Sequence, residues 1–161
     1  MKRIVPSKSG KQNQTTHLLI EAVLQLVRNR AHHDQLAFVE LFAGSGNISY
    51  TIMEHCKQFN QIELQEIDHL RLAFLQKRFS GEPSVSVLKR DSYRIIKKFH
   101  PDTVYFADPP YPKTLLRSNQ FKLLSAAMLF PWKSGFFMMQ AERQFANEAS
   151  KKLPGIHIFE Y

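Results

Sequence analysis

Asp108-Pro109-Pro110-Tyr111 is the stretch of this sequence best equipped to do chemistry. It closes an apolar run, Val104-Tyr105-Phe106-Ala107, that reads as a fully buried strand. Two prolines then forbid further ladder pairing, so a carboxylate, a proline carbonyl and an aromatic ring leave the strand end together. Those groups fit a flat ring that bears an amino group. The plain alternative is a strand-terminating turn, because Asp-Pro and Pro-Pro are ordinary loop punctuation.

Three other strand ends carry candidate groups. The first closes on Glu40-Leu41-Phe42-Ala43-Gly44-Ser45-Gly46, where two glycines allow a tight turn and close backbone approach to a ligand. A lone Gly-x-Gly is weak evidence. The third position of a dinucleotide fingerprint is Ser49, and no Gly-Lys-Ser/Thr of a phosphate loop follows. The second strand ends at Glu66, 20 residues after Gly46. An acid at that offset is where a doubly wound fold grips the ribose hydroxyls of a nucleoside. Asp68, two residues on, reads as a helix cap, and Glu63 is expected to face solvent by strand alternation. The third strand ends near Asp91-Ser92, where an acid suits either an adenine amino group or a helix cap. Caps explain any one of these acids, but less well their combination with the glycine turn and the Pro-Pro-Tyr platform.

The elements that must position these groups alternate. A basic arm over residues 1–14 precedes a helix from Thr15 or Thr16 to Arg30, with Leu18, Leu19, Ala22, Val23, Leu26 and Val27 on one face. Strands are expected at Leu36–Phe42, Gln61–Glu66, Val85–Leu88, Thr103–Ala107, Gly135–Gln140 and Ile156–Phe159. Helices are expected at Asn47–Lys57, Asp68–Phe79, Ser92–Phe99, Thr114–Phe130 and Gln144–Lys152, with Gly81 capping the second of these and Leu115, Leu116, Leu123, Leu124 and Met128 forming the core side of the fourth. This alternation implies a doubly wound α/β fold: a mainly parallel sheet with helices on both faces and ligands beyond the carboxyl ends of its strands.

At 161 residues the chain is expected to form one domain spanning 1–161. It has no apolar run of membrane-spanning length, its basic start at Met1 to Asn13 lacks an apolar stretch and is not expected to act as a secretory signal, and its single cysteine, Cys56, excludes an internal disulfide. A cysteine-based zinc site is not expected, and the His32-His33 pair lacks partners at metal-site spacing. These features imply a cytoplasmic protein without a membrane partner or a metal. The net charge of +8 favours a polyanionic partner such as nucleic acid. Cations collect in the N-terminal arm, over Lys89, Arg90, Arg94, Lys97 and Lys98, and at Lys113 and Arg117 after the Asp-Pro-Pro-Tyr turn.

The set of motifs resembles the class I S-adenosylmethionine-dependent methyltransferases that act on exocyclic amino groups of nucleobases. Glu40 to Gly46 is similar to their acid-x-Phe-x-Gly-x-Gly turn, and Asp108 to Tyr111 to their Asp/Asn-Pro-Pro-aromatic motif. Within that class the chain resembles the RsmD-type enzymes, which modify a guanine amino group of small-subunit ribosomal RNA. Gln65-Glu66-Ile67-Asp68 is similar to their Val-Glu-x-Asp, and Met139-Gln140-Ala141-Glu142 lies where they have a strand ending in an acid.

The resemblance implies a Rossmann-like methyltransferase fold with S-adenosylmethionine as cofactor. It implies a cofactor site at Glu40, Phe42, Gly44, Gly46, Glu66, Asp91 and Ser92, and a catalytic platform of Asp108, Pro109, Pro110 and Tyr111. The implied partner is ribosomal RNA or the small ribosomal subunit; the sequence does not fix the oligomeric state, and a monomer is favoured. Asp rather than Asn at 108 leans toward a nucleobase, since Asn-Pro-Pro-Tyr is associated with protein glutamine methyltransferases.

Two departures stand out. The family's Thr-Thr-Asp-Arg-x-Arg-Glu is here Thr15-Thr16-His17-Leu18-Leu19-Ile20-Glu21, with both arginines replaced by apolar residues. The family also ends on a further antiparallel strand containing Tyr-Gly-x-Thr, whereas this sequence stops at Tyr161. A sheet one strand short with an open edge is therefore expected, by truncation or by loss. Two other readings remain open: an adenine amino methyltransferase on DNA or RNA, and a non-catalytic nucleic-acid binder that has kept the fold.

Overall fold

The computed structural model describes residues 17–30, 36–110, 114–153, 155 and 157. The elements run α1 (His17–Arg30), β1 (Leu36–Leu41), α2 (Asn47–His55), β2 (Phe59–Glu66), α3 (His69–Arg78) and β3 (Val85–Lys89). A 3-10 helix (Ser92–Lys97) follows, then β4 (Thr103–Ala107), α4 (Thr114–Leu129), β5 (Phe136–Met139) and α5 (Arg143–Lys152). All five strands are parallel, in the order β3-β2-β1-β4-β5. The chain winds outward one way from β1 through β2 to β3, then returns past β1 to β4 and β5. The order therefore reverses between β1 and β4, which places a crevice at their carboxyl ends.

Parallel strands are stable where both faces are covered. On one face α1, α2 and α3 lay Val23, Val27, Ile48, Ile52, Leu75 and Phe79 over Phe38, Leu64, Val104 and Phe106. On the other, Ile95 and Phe99 from the 3-10 helix segment and Leu123 and Ala127 of α4 cover Val39, Leu41, Tyr105 and Ala107. Phe99 gathers the rings of Tyr105, Phe130, Trp132 and Phe137 at centroid separations of 5.1 to 5.9 Å. β4 is buried at every residue, as expected of a strand flanked on both edges and both faces. No residue of β2 or β3 belongs to the second cluster.

The expected elements recur with small changes. Asp68 caps α3, accepting from the Leu70 and Arg71 amides at 3.0 and 2.9 Å. Gly81 does not cap it: α3 ends at Phe79, whose amide donates to Leu75 O, and the positive-φ glycines are Gly44, Gly46 and Gly155. Leu18 is 62% exposed, while Leu24 joins Leu19, Val23 and Val27 in the core. The buried stripe of α1 thus follows the 19-23-27 line, and Leu18 sits a third of a turn off it. Glu63 is half-buried rather than solvated, accepting from Gln65 Nε2 at 2.6 Å and Arg90 Nη1 at 3.2 Å. The basic arm and the strand expected at Ile156–Phe159 lie outside the described residues. Among the described residues nothing pairs with the outer edge of β5, and a hollow of about 650 Å³ beside it is lined by Leu26, Phe136, Met138 and Phe145. No helix among them is long and apolar enough to cross a membrane, and none of their side chains cluster as a metal site.

β5 enters alongside β4 at Gly135, where a Cβ would lie 2.2 Å from Thr103 O and 2.6 Å from Thr103 N. Those are backbone atoms of a central strand and cannot give way. Gly135→Ala is expected to cost about 1–3 kcal/mol, the range for overpacking. Gly81→Ala, with nothing within 4 Å of the added methyl, is expected to stay within about 0.5 kcal/mol of the parent. Urea unfolding of both variants checks the contrast; equal midpoints would contradict the packing at Gly135.

Candidate active site

Register aligns the strand ends. Leu41 pairs with Gln65 on one side and Ala107 on the other, Gln65 pairs with Leu88, and Ala107 with Met139. One residue beyond this row stand Phe42, Glu66, Lys89, Asp108 and Gln140. The glycine turn, the candidate ribose acid and the Asp-Pro-Pro turn therefore leave neighbouring strands at one level, around the crevice between β1 and β4.

The turn after β1 is held by side chains from β2, α3 and the 3-10 helix. Phe42, Gly44 and Gly46 have φ of 58°, 54° and 68°, a left-handed path that is costly for a phenylalanine. Glu66 is 5% exposed and stitches the turn to β2: Oε2 accepts from the Gly44 amide at 2.9 Å, and Oε1 accepts from the Ile67 and Asp68 amides at 2.8 and 2.9 Å. Ser92, 3% exposed, accepts from the Phe42 amide at 3.1 Å and so ties the 3-10 helix to the same turn. Tyr93 packs edge-on against the Phe42 ring at 4.8 Å. Asp91 takes the cap role, accepting from the Tyr93 amide at 3.1 Å, with Arg94 at 3.7 Å.

Glu40 is 4% exposed beneath the first turn of α2. The N-cap of α2 is Gly46, which has no side chain to satisfy the free amides. Glu40 Oε2 does so from below, accepting from the Ser49 amide at 2.8 Å. Burial pushes its carboxyl up to about 7, and the nearby Asp108 carboxylate adds to the rise. Asp108 itself is raised to about 6 by burial. Pro109 is buried, and the Pro110 carbonyl accepts from Gln120 Nε2 at 3.1 Å, which anchors the turn to α4. Tyr111 and Lys113 lie outside the described residues. Arg117 is committed to Glu148 of α5 at 2.9 Å.

Two contributors escape a reading of the sequence. Arg78, at the end of α3, donates to Ser45 O and to Asn47 Oδ1 at 2.8 Å and lies over the Tyr50 ring at 4.8 Å. It clamps the back of the glycine turn from 33 residues away. A basic residue in a last helical turn already has a reason to be there, which hides such a role. Gln120 is 4% exposed and falls in line with Leu123 and Ala127, so an amide on the apolar face of α4 was a legible signal.

No family model and no curated protein matches the sequence. Solved structures do. The chain superposes on TrmN from Thermus thermophilus with a TM-score of 0.55 and 21% identity, covering 69% of this chain and 33% of that one. It superposes on the 23S rRNA methyltransferase ErmE at 0.59 and 16%, covering 82% and 50%. A precorrin-6y C5,15-methyltransferase from Geobacter metallireducens gives 0.65 and 14%, covering 88% and 71%. This is a methyltransferase fold. The chain spans a third to a half of the length of TrmN and ErmE, and identities this low establish the architecture alone. In such an architecture the crevice at the β1–β4 reversal is the place a ligand is held.

Glu40 generates a stability prediction. Its folded value lies above the unfolded one, so the folded chain binds this proton more tightly. That contribution is fully present below about pH 4.5 and is lost as pH rises through about 7. Glu40→Gln keeps an acceptor for the Ser49 amide and removes the titration. Between about pH 5 and pH 8 the parent is expected to lose on the order of 2–3 kcal/mol more stability than the variant. Urea midpoints across that range provide the check, and parallel pH profiles would refute a buried, titrating Glu40.

Proposed function

We propose that this chain is an S-adenosylmethionine-dependent methyltransferase acting on an exocyclic amino group of a nucleobase, guanine in small-subunit ribosomal RNA. One observation carries the reading. The Asp108-Pro109-Pro110 turn leaves β4 level with the glycine turn of β1 and Glu66 of β2, around the crevice where the strand order reverses. The residues fit the cofactor. Gly44 presents bare backbone, since a Cβ there would meet nothing nearer than Phe42 O at 3.8 Å. Glu66 keeps one lone-pair site, on Oε2, beyond its three backbone donors, and that site suits a ribose hydroxyl. Asp91 and Ser92 sit beside them on the 3-10 helix. Likeness of fold to an rRNA methyltransferase agrees with an RNA substrate, as does the basic charge.

S-adenosylmethionine, when bound, supplies a methyl group on a sulfonium that is open to direct displacement. The protein's part is to prepare the amine. A nucleobase amine is a poor nucleophile because its lone pair is delocalised into the ring. The Asp108 carboxylate and the Pro109 carbonyl each accept one amino hydrogen, which turns the lone pair toward the methyl group. Tyr111 stacks on the base and holds it in line. Rate then comes from positioning and electrostatics. Asp108 serves as an orienting acceptor, and the methylated nitrogen sheds its extra proton afterwards.

Asp108→Ala is expected to bind S-adenosylmethionine normally by calorimetry and to lower turnover at least about a hundredfold. Unchanged methylation would defeat the mechanism. Acceptance requires the ionised carboxylate, so turnover should fall as pH drops through about 6. A profile flat down to pH 5 would count against it. Tritium-methyl transfer to ribosomal subunits, total RNA and DNA in parallel, followed by nucleoside digestion, separates guanine from adenine products. A folded protein that binds no S-adenosylmethionine would instead be a non-catalytic binder.

A further inference from the structure

Part of one sheet face is left open. β2 alternates, turning Ile62, Leu64 and Glu66 toward the first helical layer and Gln61, Glu63 and Gln65 toward the other side, where Gln61 is exposed, Glu63 half-buried and Gln65 fully buried. β3 does the same, with Val85 and Val87 inward and Ser86 outward. The 3-10 helix segment covers β1 and β4 on that side through Ile95 and Phe99 and stops short of β2 and β3. The result is a groove of about 610 Å³ whose walls include Asn60, Gln61, Ser86, Arg90, Lys98 and Tyr105.

Its rim is cationic. Lys89, Arg90, Arg94, Lys97 and Lys98 follow one another along the end of β3 and the 3-10 helix, and all are exposed. The one carboxylate in that run, Asp91, is engaged as the helix cap and by Arg94. Arg90 pairs with Glu63, while Lys89, Lys97 and Lys98 have no carboxylate at ion-pair distance among the described residues. A face that served solubility alone would mix the two signs. Protein partners favour aromatic and Met-rich cores and avoid lysine, which does not describe this surface. Amides, hydroxyls and unpaired cations match the sugar–phosphate chain of a nucleic acid.

We propose that the bare face of β2 and β3, with the cationic 3-10 helix along its rim, is a docking groove for a single RNA strand flanking the methylated base. The proposal rests on the RNA reading above and adds a second region of RNA binding to it. The groove draws on the amino-terminal halves of β1 and β4, at Ala37 and Thr103, whereas Asp108 lies beyond their carboxyl ends. Five residues of strand separate Ala37 from Phe42, about 16 Å. The groove therefore engages nucleotides other than the one being modified and contributes affinity without base readout.

The test compares Lys97→Gln/Lys98→Gln with a charge-matched control, Lys77→Gln/Lys122→Gln, whose lysines are exposed on α3 and α4. Binding of a fluorescein-labelled single-stranded RNA of mixed sequence is followed by anisotropy from low to high salt. The first variant should bind about tenfold more weakly at 0.1 M salt, and its log–log salt slope should be shallower by about 1.4, or 0.7 for each phosphate that is no longer neutralised. Methyl transfer should show a raised KM for RNA at unchanged kcat, with S-adenosylmethionine affinity intact by calorimetry. Affinity and slope equal to those of the control would overturn the groove. If the parent transfers methyl groups to RNA while the variant binds like the parent, the groove alone falls. If the parent neither binds nor methylates RNA, both readings fall.

Discussion

A methyl group on Gly46 would lie 2.7 Å from Leu75 Cδ2 and 2.9 Å from both Leu64 Cδ2 and Phe79 Cε2. The turn after β1 is pressed that closely onto β2 and α3, and it follows a left-handed path there. Such a path needs support, because strained backbone persists where the surroundings over-determine it. Here the support comes from several directions. Glu66 takes the Gly44 amide from the β2 side, Ser92 takes the Phe42 amide from the 3-10 helix, and Arg78 grips Ser45 and Asn47 from α3. The same pressing sets where α2 starts, and therefore that its cap has no side chain and relies on Glu40. The candidate site is thus less a set of residues on a surface than the consequence of one close approach.

That arrangement concentrates acids where solvent is scarce. Glu40 and Asp108 rise together because each is buried, and Glu40 rises further because Asp108 is near. Glu66 differs in that its two oxygens are met by three backbone amides. Two strand-end carboxylates, on either side of β1, are therefore treated differently by their surroundings. Glu66 is built into the turn with its oxygens directed by the backbone. Asp108 is only partly buried at the end of β4, and burial raises its carboxyl.

Much of this was legible in the sequence because its signals are local. Alternation of apolar runs, turn residues and caps placed β1 to β5, and Thr103–Ala107 agrees residue for residue. Asp68 as a cap followed from its position alone. The readings that failed were those decided by what packs from afar. Leu18 matched the helical period but lies off the line that α1 presents to α2. Gly81 looked like a helix terminator, yet Phe79 had already closed α3 with its own amide. Glu63 alternates outward as expected and is nevertheless half-buried, because Arg90 and Gln65 reach it. Arg78 could not be found from spacing, since its partners lie 31 and 33 residues away and its type has an ordinary explanation.

The polar side of β2 is a harder case, and it is explained by length. Between β3 and β4 the chain has residues 90–102, of which six form the 3-10 helix. In that span it must cross from the sheet edge past β2 and β1, about 14 Å at the spacing of neighbouring strands. A 3-10 helix of six residues advances about 12 Å, so the crossover is consumed by the crossing. Its buried residues Ile95 and Phe99 pack against β1 and β4, and none packs on β2 or β3. Apolar side chains at 61 and 63 would then have faced water, and the sequence places Gln and Glu there, whereas Gln65 nearer the strand end is buried. The short crossover and the polar strand face are one constraint seen at two places.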